Sequence, residues 1–276
     1  MGRSDTAAFD ALVVPALVYL LLVFVVPLAI LIAGSLAVDG SPTVEGYARY
    51  LGDAHNRSTV WATVRYATLS SLLCLVLGYP FARLMAQMTG RAQALLFAAL
   101  LLPLALSLMV RAFGWTILLG REGPINQLLL LLGLVERPVR LLFTETGLIL
   151  GTISIKLPLM ILPIYVVLRT IPQEIGEAGA SLGAGPFYRF LRLDLPLAMP
   201  GMLAGFALVF SQCAAAYVLP TLLGGSRYLI MSKAIVDSYL IMQSSAVGSI
   251  ISVLLLGIVT AVIVASGVAT HRRGHA

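Results

Sequence analysis

Long apolar runs, separated by short polar stretches rich in glycine and proline, dominate the pattern of this chain. The first run, from Ala11 to Ala33, is interrupted only by Pro15, Tyr19 and Pro27. About 20 apolar residues, each rising about 1.5 Å, cross the hydrocarbon core of a bilayer. A soluble core would instead alternate apolar and polar residues with a period of about two or about 3.6. The pattern therefore predicts an integral membrane protein.

Six such runs predict an all-α fold with six transmembrane helices. Their predicted limits are residues 11–34, 60–82, 93–112, 146–168, 197–219 and 246–268. A further stretch over residues 125–134 holds only about ten apolar residues, too few to span, and predicts an interfacial or re-entrant helix. Residues 1–276 then form a single transmembrane domain, and the even number of spans places both termini on one side.

The composition supports this prediction. Hydrophobic residues make up 59% of the chain and charged residues 11%, whereas about 25% of a typical soluble domain is charged. The net charge of +6 comes from basic residues scattered singly among the connecting loops, which does not favour nucleic-acid binding. Cys74 and Cys213 lie inside apolar runs, and the histidines lack metal-ligand spacing, so neither a disulfide scaffold nor a metal site is predicted.

The lysines and arginines of the connecting segments leave the orientation open. With the termini inside, the inner segments carry eight of these residues and the outer segments also carry eight. Because the positive-inside rule needs an excess on one side, it does not decide which face is cytoplasmic.

Acidic residues are absent from the middle of every predicted span. Ion-coupled transporters usually place carboxylates at that depth, so a secondary carrier or channel is only an alternative. The chain also lacks a phosphate-binding loop of the type G-x-x-x-x-G-K-[ST] and paired catalytic groups in its spans. No enzyme activity is predicted, and energy for uphill transport must come from a partner.

One cation, Lys156, lies near the centre of the fourth predicted span. A charge at this depth costs about 2.5 to 3.5 kcal/mol, so it should face the bundle interior or a wet cavity. It either pairs with backbone carbonyls or a partner subunit, or lines a path that favours anionic or neutral solutes. Ser211, Gln212 and Tyr217, near the outer end of the fifth span, are further candidates for the path or ordinary contacts between helices.

The loop between the fourth and fifth spans, residues 169–196, has the pattern of two short helices joined by a turn. Pro172 suits the first turn of a helix, Glu174 favours its N-terminal end, and Gly183 is a natural stop. Gly185 and Pro186 then permit a turn and a second helix. Small residues between Ala178 and Gly183 let another surface come close, which suits docking into a groove of another protein.

This loop resembles the EAA loop of ABC-importer permeases, whose pattern is Glu-Ala-Ala, three residues, Gly, nine residues, then Ile-x-Leu-Pro. The matching residues, at the family's spacing, are Glu177, Ala178, Gly183, Leu195 and Pro196. Gly179 replaces the second alanine, and Leu193 replaces the isoleucine.

The resemblance extends over roughly residues 60–260 and is to permeases of the spermidine/putrescine type. It rests on residues 111–115, 119–126, 157–163 and 219–225. Polyamine-type permeases often carry an acidic residue late in the fifth span, where this chain has Gln212 to Tyr217. The alternative is therefore an importer of the same class with an anionic or neutral cargo, such as a phosphonate, an opine or an amino-acid derivative.

The resemblance implies a type I ABC importer permease fold and a permease subunit that moves a small solute, a polyamine or a related compound, into the cytoplasm by alternating access. Loop 169–196 would be the cytoplasmic coupling loop, which places both termini in the cytoplasm. The coupling residues implied are Glu177, Ala178, Gly179, Gly183, Leu193 and Pro196.

The resemblance also implies the partners. These are two ATPase subunits, a second permease that is a homologue of this one, and a periplasmic or surface-tethered substrate-binding protein. ATP and magnesium would bind to the ATPase subunits, so no cofactor is expected on this chain. The location implied is the bacterial inner membrane.

Overall fold

The computed structural model describes residues 3–38, 41–42, 44–225 and 228–273. The helices in chain order are α1 Arg3–Leu36, α2 Glu45–Gly52, α3 Ala54–Gln87, α4 Gly90–Ala105, α5 Leu108–Leu118, α6 Pro124–Leu131, α7 Glu145–Thr170, α8 Gln173–Ser181, α9 Pro186–Arg189, α10 Leu195–Ala214, α11 Met231–Leu240 and α12 Ser245–Arg273. Two π-helical turns cover Phe190–Asp194 and Pro220–Gly224, and a two-residue antiparallel pair joins β1 Ala37–Val38 to β2 Ser41–Pro42. The predicted all-α fold is confirmed.

Five segments of the described chain are long and apolar enough to cross a membrane: Val13–Leu36, Ala54–Gln87, Glu145–Thr170, Pro186–Ala214 and Ser245–Thr270. The predicted third span is instead a pair of helices, α4 and α5, bent by 97°. Leu106 and Ser107 between them have extended ψ angles of 142° and 139°, which ends one helix and redirects the next. Counting the bent pair as one span gives the six that were predicted.

The chain divides into two compact units. The first comprises Met1–Arg57 and Ala234–Leu256. Within it, the Tyr47 hydroxyl donates to Ser35 Oγ at 2.7 Å, and the hydroxyls of Tyr239 and Ser249 hydrogen-bond at 2.9 Å. The second unit comprises Ser58–Lys233 and Gly257–Ala276, and it contains the predicted coupling loop and path residues.

Close packing of α7 against α10 forms the core of the second unit. A Cβ added to Gly201 would lie 2.8 Å from the backbone oxygen of Pro163, and one added to Gly205 would lie 3.1 Å from that of Met160. Only glycine allows two helix backbones to approach so closely, as the Gly201-x-x-x-Gly205 spacing predicts. The order of these contacts shows that the two helices run antiparallel.

Helices α3 and α5 pack against the first half of α7. The hydroxyls of Tyr66 and Thr152 hydrogen-bond at 2.8 Å between α3 and α7. A Cβ on Gly151 would meet the Trp115 side chain at 3.5 Å, and one on Gly147 would meet Leu119 at 3.3 Å. Helix α5 therefore lies antiparallel beside α7.

The short helix predicted over residues 125–134 is present as α6, after Gly123 and Pro124. Asn126 is fully buried, and its amide donates to the carbonyls of Gly120 at 2.9 Å and Val139 at 3.0 Å. Its own oxygen accepts from the Val139 N–H at 2.9 Å. These bonds satisfy backbone groups on both sides of α6. An interfacial or re-entrant position for this helix stays a prediction.

Candidate functional site

The predicted coupling loop begins with α8 and turns at Gly183. Gly183 has φ of 79°, in the left-handed region that glycine adopts without steric cost. Its N–H donates to the Ala180 carbonyl at 2.9 Å, and the Ala184 N–H donates to the Gly179 carbonyl at 3.0 Å. This pair of bonds is the Schellman arrangement that ends a helix. The helix stop predicted at Gly183 is confirmed.

Gly179, which replaces an alanine of the EAA pattern, marks a tight contact inside the loop. A Cβ at this position would lie 2.9 Å from Leu193 Cδ1 and 3.4 Å from Arg189 Cδ. The missing methyl group therefore lets α8 lie close to α9 and the π-helical turn. Leu193, the other departure from the pattern, is the side chain that occupies this space. The two replacements are thus in contact with each other.

Apolar side chains project from the outer surface of the loop. Leu182 is 88% exposed and Phe187 is 73% exposed. Glu177 and Ala178, on the helix that precedes them, are also exposed. Large exposed apolar residues favour a protein-binding surface when they are grouped and bordered by polar groups. We call Glu177, Ala178, Leu182 and Phe187 the docking surface.

The π-helical turn Phe190–Asp194, near the end of the loop, is in contact with the end of α3. Arg83 forms an ion pair with Asp194, and its guanidinium carbon lies 5.7 Å from the centre of the Phe190 ring. The Tyr79 and Phe190 rings meet edge to face with centroids 5.7 Å apart. Since Phe190 and Asp194 begin and end the π-helical turn before α10, α3 holds this turn by both ends.

A cavity of about 240 Å³ lies between the end of α3, the end of α7 and the start of α8. The lining residues are Arg83, Ala86, Gln87, Leu168, Arg169, Ile171, Pro172, Ile175 and Asp194. Across it, Arg169 Nη1 donates to the Ala86 carbonyl at 3.5 Å. The cavity therefore separates the start of α8 from α3. The π-helical turn at the end of the loop, in contrast, is in contact with α3.

The predicted path residue Lys156 is only 8% exposed. Its Nζ donates to Gln212 Oε1 at 3.1 Å, which joins α7 to α10. Gln212 itself is exposed, so the ammonium group is directed from the core towards a surface of α10. The structure therefore brings these two predicted residues together, although 56 positions separate them in the chain.

The other two predicted path residues do not join this pair. The Ser211 hydroxyl donates to the Ala207 carbonyl of its own helix at 2.6 Å. Tyr217 is 39% exposed and lies beyond the end of α10, where its carbonyl accepts from the Thr221 N–H at 3.1 Å. Neither side chain is shown in contact with Lys156. Their role in a path stays a prediction.

Three charged residues of the site were not predicted. Arg83 and Asp194 form the ion pair described above, and Asp194 occupies the variable position of the Leu-x-Leu-Pro segment. Arg111, near the end of the predicted third span, lies inside α5, one turn before Trp115. The sequence signal that could have identified Arg111 was an arginine followed one turn later by a tryptophan in an apolar helix.

At the start of α7, Arg65 forms an ion pair with Glu145. The nearby Tyr228 phenol has its pKa raised to about 12, first by burial and second by the negative charge of Glu145. Tyr228 thus stays neutral at physiological pH.

Among the described residues no group of three or more histidine, cysteine or acidic side chains could hold a metal ion.

Comparison with known proteins places this geometry among transport proteins. The family described as binding-protein-dependent transport system inner membrane component matches residues 78–271. The spermidine/putrescine transport system permease protein PotB of Haemophilus influenzae is 32% identical over 232 residues, which cover 82% of this chain and 81% of that protein. The PotB protein of Salmonella typhimurium is 31% identical over 260 residues, covering 91% of this chain and 90% of that protein.

Solved structures share the fold at much lower sequence identity. A chain of a bacterial ABC transporter that imports the acidic polysaccharide alginate superposes with a TM-score of 0.80 at 13% identity, over 98% of this chain and 96% of that one. A chain of the MetNI methionine ABC transporter, in an inward-facing conformation, gives 0.59 at 16% identity, over 78% of this chain and 94% of that one.

Proposed function

The chain belongs to the binding-protein-dependent transport system inner membrane components, and from this premise we propose how it couples to an ATPase and what it transports. It is a multi-pass inner membrane protein and a permease subunit of an ATP-driven importer for a small solute. It is a transport component rather than an enzyme. We propose that residues 1–276 act as one permease domain.

The docking surface is the proposed contact with the ATPase. The exposure of Leu182 and Phe187 on a loop with a fixed turn is the observation that carries this proposal. Both side chains would be covered in a groove, and Glu177 would add a charged contact at its edge. Ala178, with its small side chain, would let the groove come close, and Gly179, Gly183, Leu193 and Pro196 would keep the loop compact.

The partners complete the proposed importer. Two ATPase subunits would bind ATP and magnesium, a second, homologous permease would form the other half of the path, and a binding protein would deliver the solute. With the coupling loop facing the ATPase, both termini lie in the cytoplasm. No cofactor is assigned to this chain.

Transmission from loop to bundle follows from the connections of the loop. Residues 171–194 join α7 to α10, and the Arg83–Asp194 ion pair connects the π-helical turn of the loop to α3. A displacement of the docking surface by the ATPase would therefore move three helices of the second unit together. Alternating access requires such a movement, since the path must open to one side at a time.

Glu177→Lys in the complete importer tests the coupling contact. We expect the tagged chain to remain in the membrane, to lose co-purification of the ATPase in mild detergent, and to lose solute uptake. Glu122→Lys, an equal charge change at another exposed position, is the control and should keep both. Undiminished ATPase binding by the Glu177 variant would contradict the proposal.

The cargo rests on separate observations. The curated relatives named above are spermidine/putrescine permeases, and this likeness makes a polyamine the first candidate. The buried Lys156 favours a second candidate, an anionic or neutral solute, because a cation on the path repels a polycation. The two candidates differ in charge and can be separated experimentally.

A further inference from the structure

Two cations of the second unit bury polar atoms between the helices, and neither has a carboxylate partner among the described residues. Lys156 is buried, and its ammonium group donates to the neutral amide oxygen of Gln212. The Nε and Nη1 atoms of Arg111 are buried and have no hydrogen-bond partner among the residues that the structure describes. The ion pairs of the described chain, Arg65–Glu145 and Arg83–Asp194, involve neither cation.

The packing of α5 on α7 places these cations at one level. Leu119 lies at Gly147, and Trp115 lies at Gly151, so each step of four residues back along α5 corresponds to four residues forward along α7. The next step brings Arg111 to the level of residues 155 and 156.

The amide of Gln212 connects this level to an uncovered face of α10. Beyond the first turn of this helix, the exposed residues recur at helical spacing: Ala204, Leu208, Gln212 and, one position beyond the helix, Ala215. Gln212 accepts from Lys156 through its oxygen, which leaves its NH₂ group free to donate to an anion. One surface thus presents an ammonium group and an amide donor, with a guanidinium group nearby.

We propose that Lys156, Arg111 and Gln212 form a subsite for an anionic group of the cargo, a carboxylate or a phosphonate. This inference rests on the import function proposed above and names the charge of what is imported. Unpaired buried cations are costly, and an anion at this level would compensate them and accept hydrogen bonds from both. A polycation at the same place would be repelled.

The local potential can be measured with charged thiol reagents, with no need to know the cargo. In the complete importer, with Cys74 and Cys213 replaced by alanine, Gln212→Cys supplies one thiol on the uncovered face of α10. Its reaction rates with anionic methanethiosulfonate ethylsulfonate and cationic methanethiosulfonate ethyltrimethylammonium are compared, each relative to free cysteine. Dividing the rate of the anionic reagent by that of the cationic reagent cancels any change in the thiolate fraction of the introduced cysteine.

We expect the anionic reagent to be favoured by at least about a hundredfold, because one unit charge at about 10 Å with an effective dielectric of about 20 changes each rate by more than about tenfold, in opposite directions for the two reagents. Lys156→Gln and Arg111→Gln should each lower the ratio, and Lys156→Arg should keep it. Lys233→Gln is the matched control, because its amine lies by the Gly225 carbonyl, at 3.4 Å. A ratio near one, a ratio unchanged in the double variant, or no reaction with either reagent overturns the subsite.

Uptake separates this inference from the proposed function. Cells with the complete importer receive spermidine, putrescine, 2-aminoethylphosphonate and glutamate in a rich metabolite extract, and depletion is followed by mass spectrometry. We expect anionic solutes to be depleted, with at least about a tenfold loss of rate in Lys156→Gln and none in Lys233→Gln. Depletion of polyamines alone, or of no anionic solute, overturns the subsite. Undiminished uptake in Glu177→Lys would instead overturn the proposed coupling.

Discussion

The docking surface and the core around Lys156 depart from the usual distribution of side chains in opposite directions. In the loop, Leu182 and Phe187 expose apolar area to the surroundings. In the core, Lys156 and Arg111 bury positive charge without an acidic partner among the described residues. Both arrangements raise the free energy of the isolated chain. Each is therefore informative about a contact that the chain makes with something else.

The two regions differ in what that contact must be. Exposed apolar side chains are relieved by a surface that excludes water, which a protein groove provides. Buried cations are relieved by a negative charge, which a small solute can bring and remove in each cycle. The same pair of helices, α7 and α10, carries both regions, since the loop joins them and Lys156 contacts Gln212 between them.

The largest effect is expected from breaking the core while the loop is left intact. In Gly201→Val, the new Cβ would lie 2.8 Å from the Pro163 oxygen and 2.9 Å from Ile164 Cα, so α7 and α10 must separate. Overpacking of this kind costs about 1 to 3 kcal/mol or more. We expect little folded protein in detergent extracts and a lowered thermal unfolding midpoint.

The control for this prediction is Gly257→Val on α12, where an added Cβ meets nothing within 4 Å. It should leave the amount of protein and the unfolding midpoint nearly unchanged. Equal behaviour of the two valine variants would show that close approach of the backbones does not hold α7 to α10.

A smaller effect, confined to the loop, is expected from Gly183→Ala. Alanine in the left-handed region costs about 1 to 2 kcal/mol, so the turn after α8 should open and the docking surface should lose its shape. We expect about a tenfold weaker ATPase association, measured by titration of the purified ATPase, at an unchanged level of membrane protein. Gly183→Pro should abolish uptake, because it also removes the N–H that bonds Ala180.

Gly185→Ala is the matched control for Gly183→Ala. An added Cβ meets nothing within 4 Å at either glycine, but Gly185 has φ of −63°, which alanine adopts readily. A similar loss of ATPase binding in both variants would mean that side-chain bulk, and not the turn at Gly183, controls docking.

A still smaller effect is expected from Asp194→Asn, which tests the link between the two regions. The Arg83–Asp194 pair is partly exposed, with 37% and 27% of the side-chain areas accessible, so its loss costs about 0 to 1 kcal/mol of stability. We expect ATPase binding to remain and transport per ATP hydrolysed to fall.

A double-mutant cycle checks this link. If the ion pair transmits the movement, Arg83→Gln combined with Asp194→Asn should lower transport no further than either single change. Additive losses would indicate two independent roles.

The smallest effect is expected from Ser211→Ala. The serine hydroxyl bonds only a carbonyl of its own helix in the described contacts, and its removal should change stability by no more than about 0.5 kcal/mol. Uptake should remain near that of the unchanged chain, whereas Gln212→Leu at the next position should lower it. A strong loss in Ser211→Ala would extend the path along α10.

The positions of the spans were largely predictable because hydrophobic length is a direct requirement of the bilayer. The fourth span, predicted at residues 146–168, is Glu145–Thr170 in the structure, and the sixth, predicted at 246–268, is Ser245–Thr270. The sharp bend in the third was not predicted. Pro103 is one of several prolines within apolar runs, and sequence alone does not show which of them ends a helix.

The conformation of loop 169–196 was predictable because its signals are local. A turn at Gly183 depends on one backbone conformation, and a helix start at Pro186 depends on the residue itself. The ion pair of Arg83 with Asp194 was not predictable, since it joins two elements more than a hundred positions apart. The pairing of Lys156 with Gln212 was not predicted either, because the two residues lie 56 positions apart on different helices, although both had been named.

The glycine contacts at Gly201 and Gly205 have a mechanical consequence. Two helices whose backbones touch at two levels would move as one rigid body if loop 169–196, which joins them, were displaced. Lys156 and Gln212, one on each helix, would then move together and keep their hydrogen bond. Helix α5 contacts α7 through the side chains of Trp115 and Leu119 and not through its backbone, so this movement would change the spacing between Arg111 and Lys156. An anion bound between Arg111 and Lys156 at one end of this movement would be released at the other end.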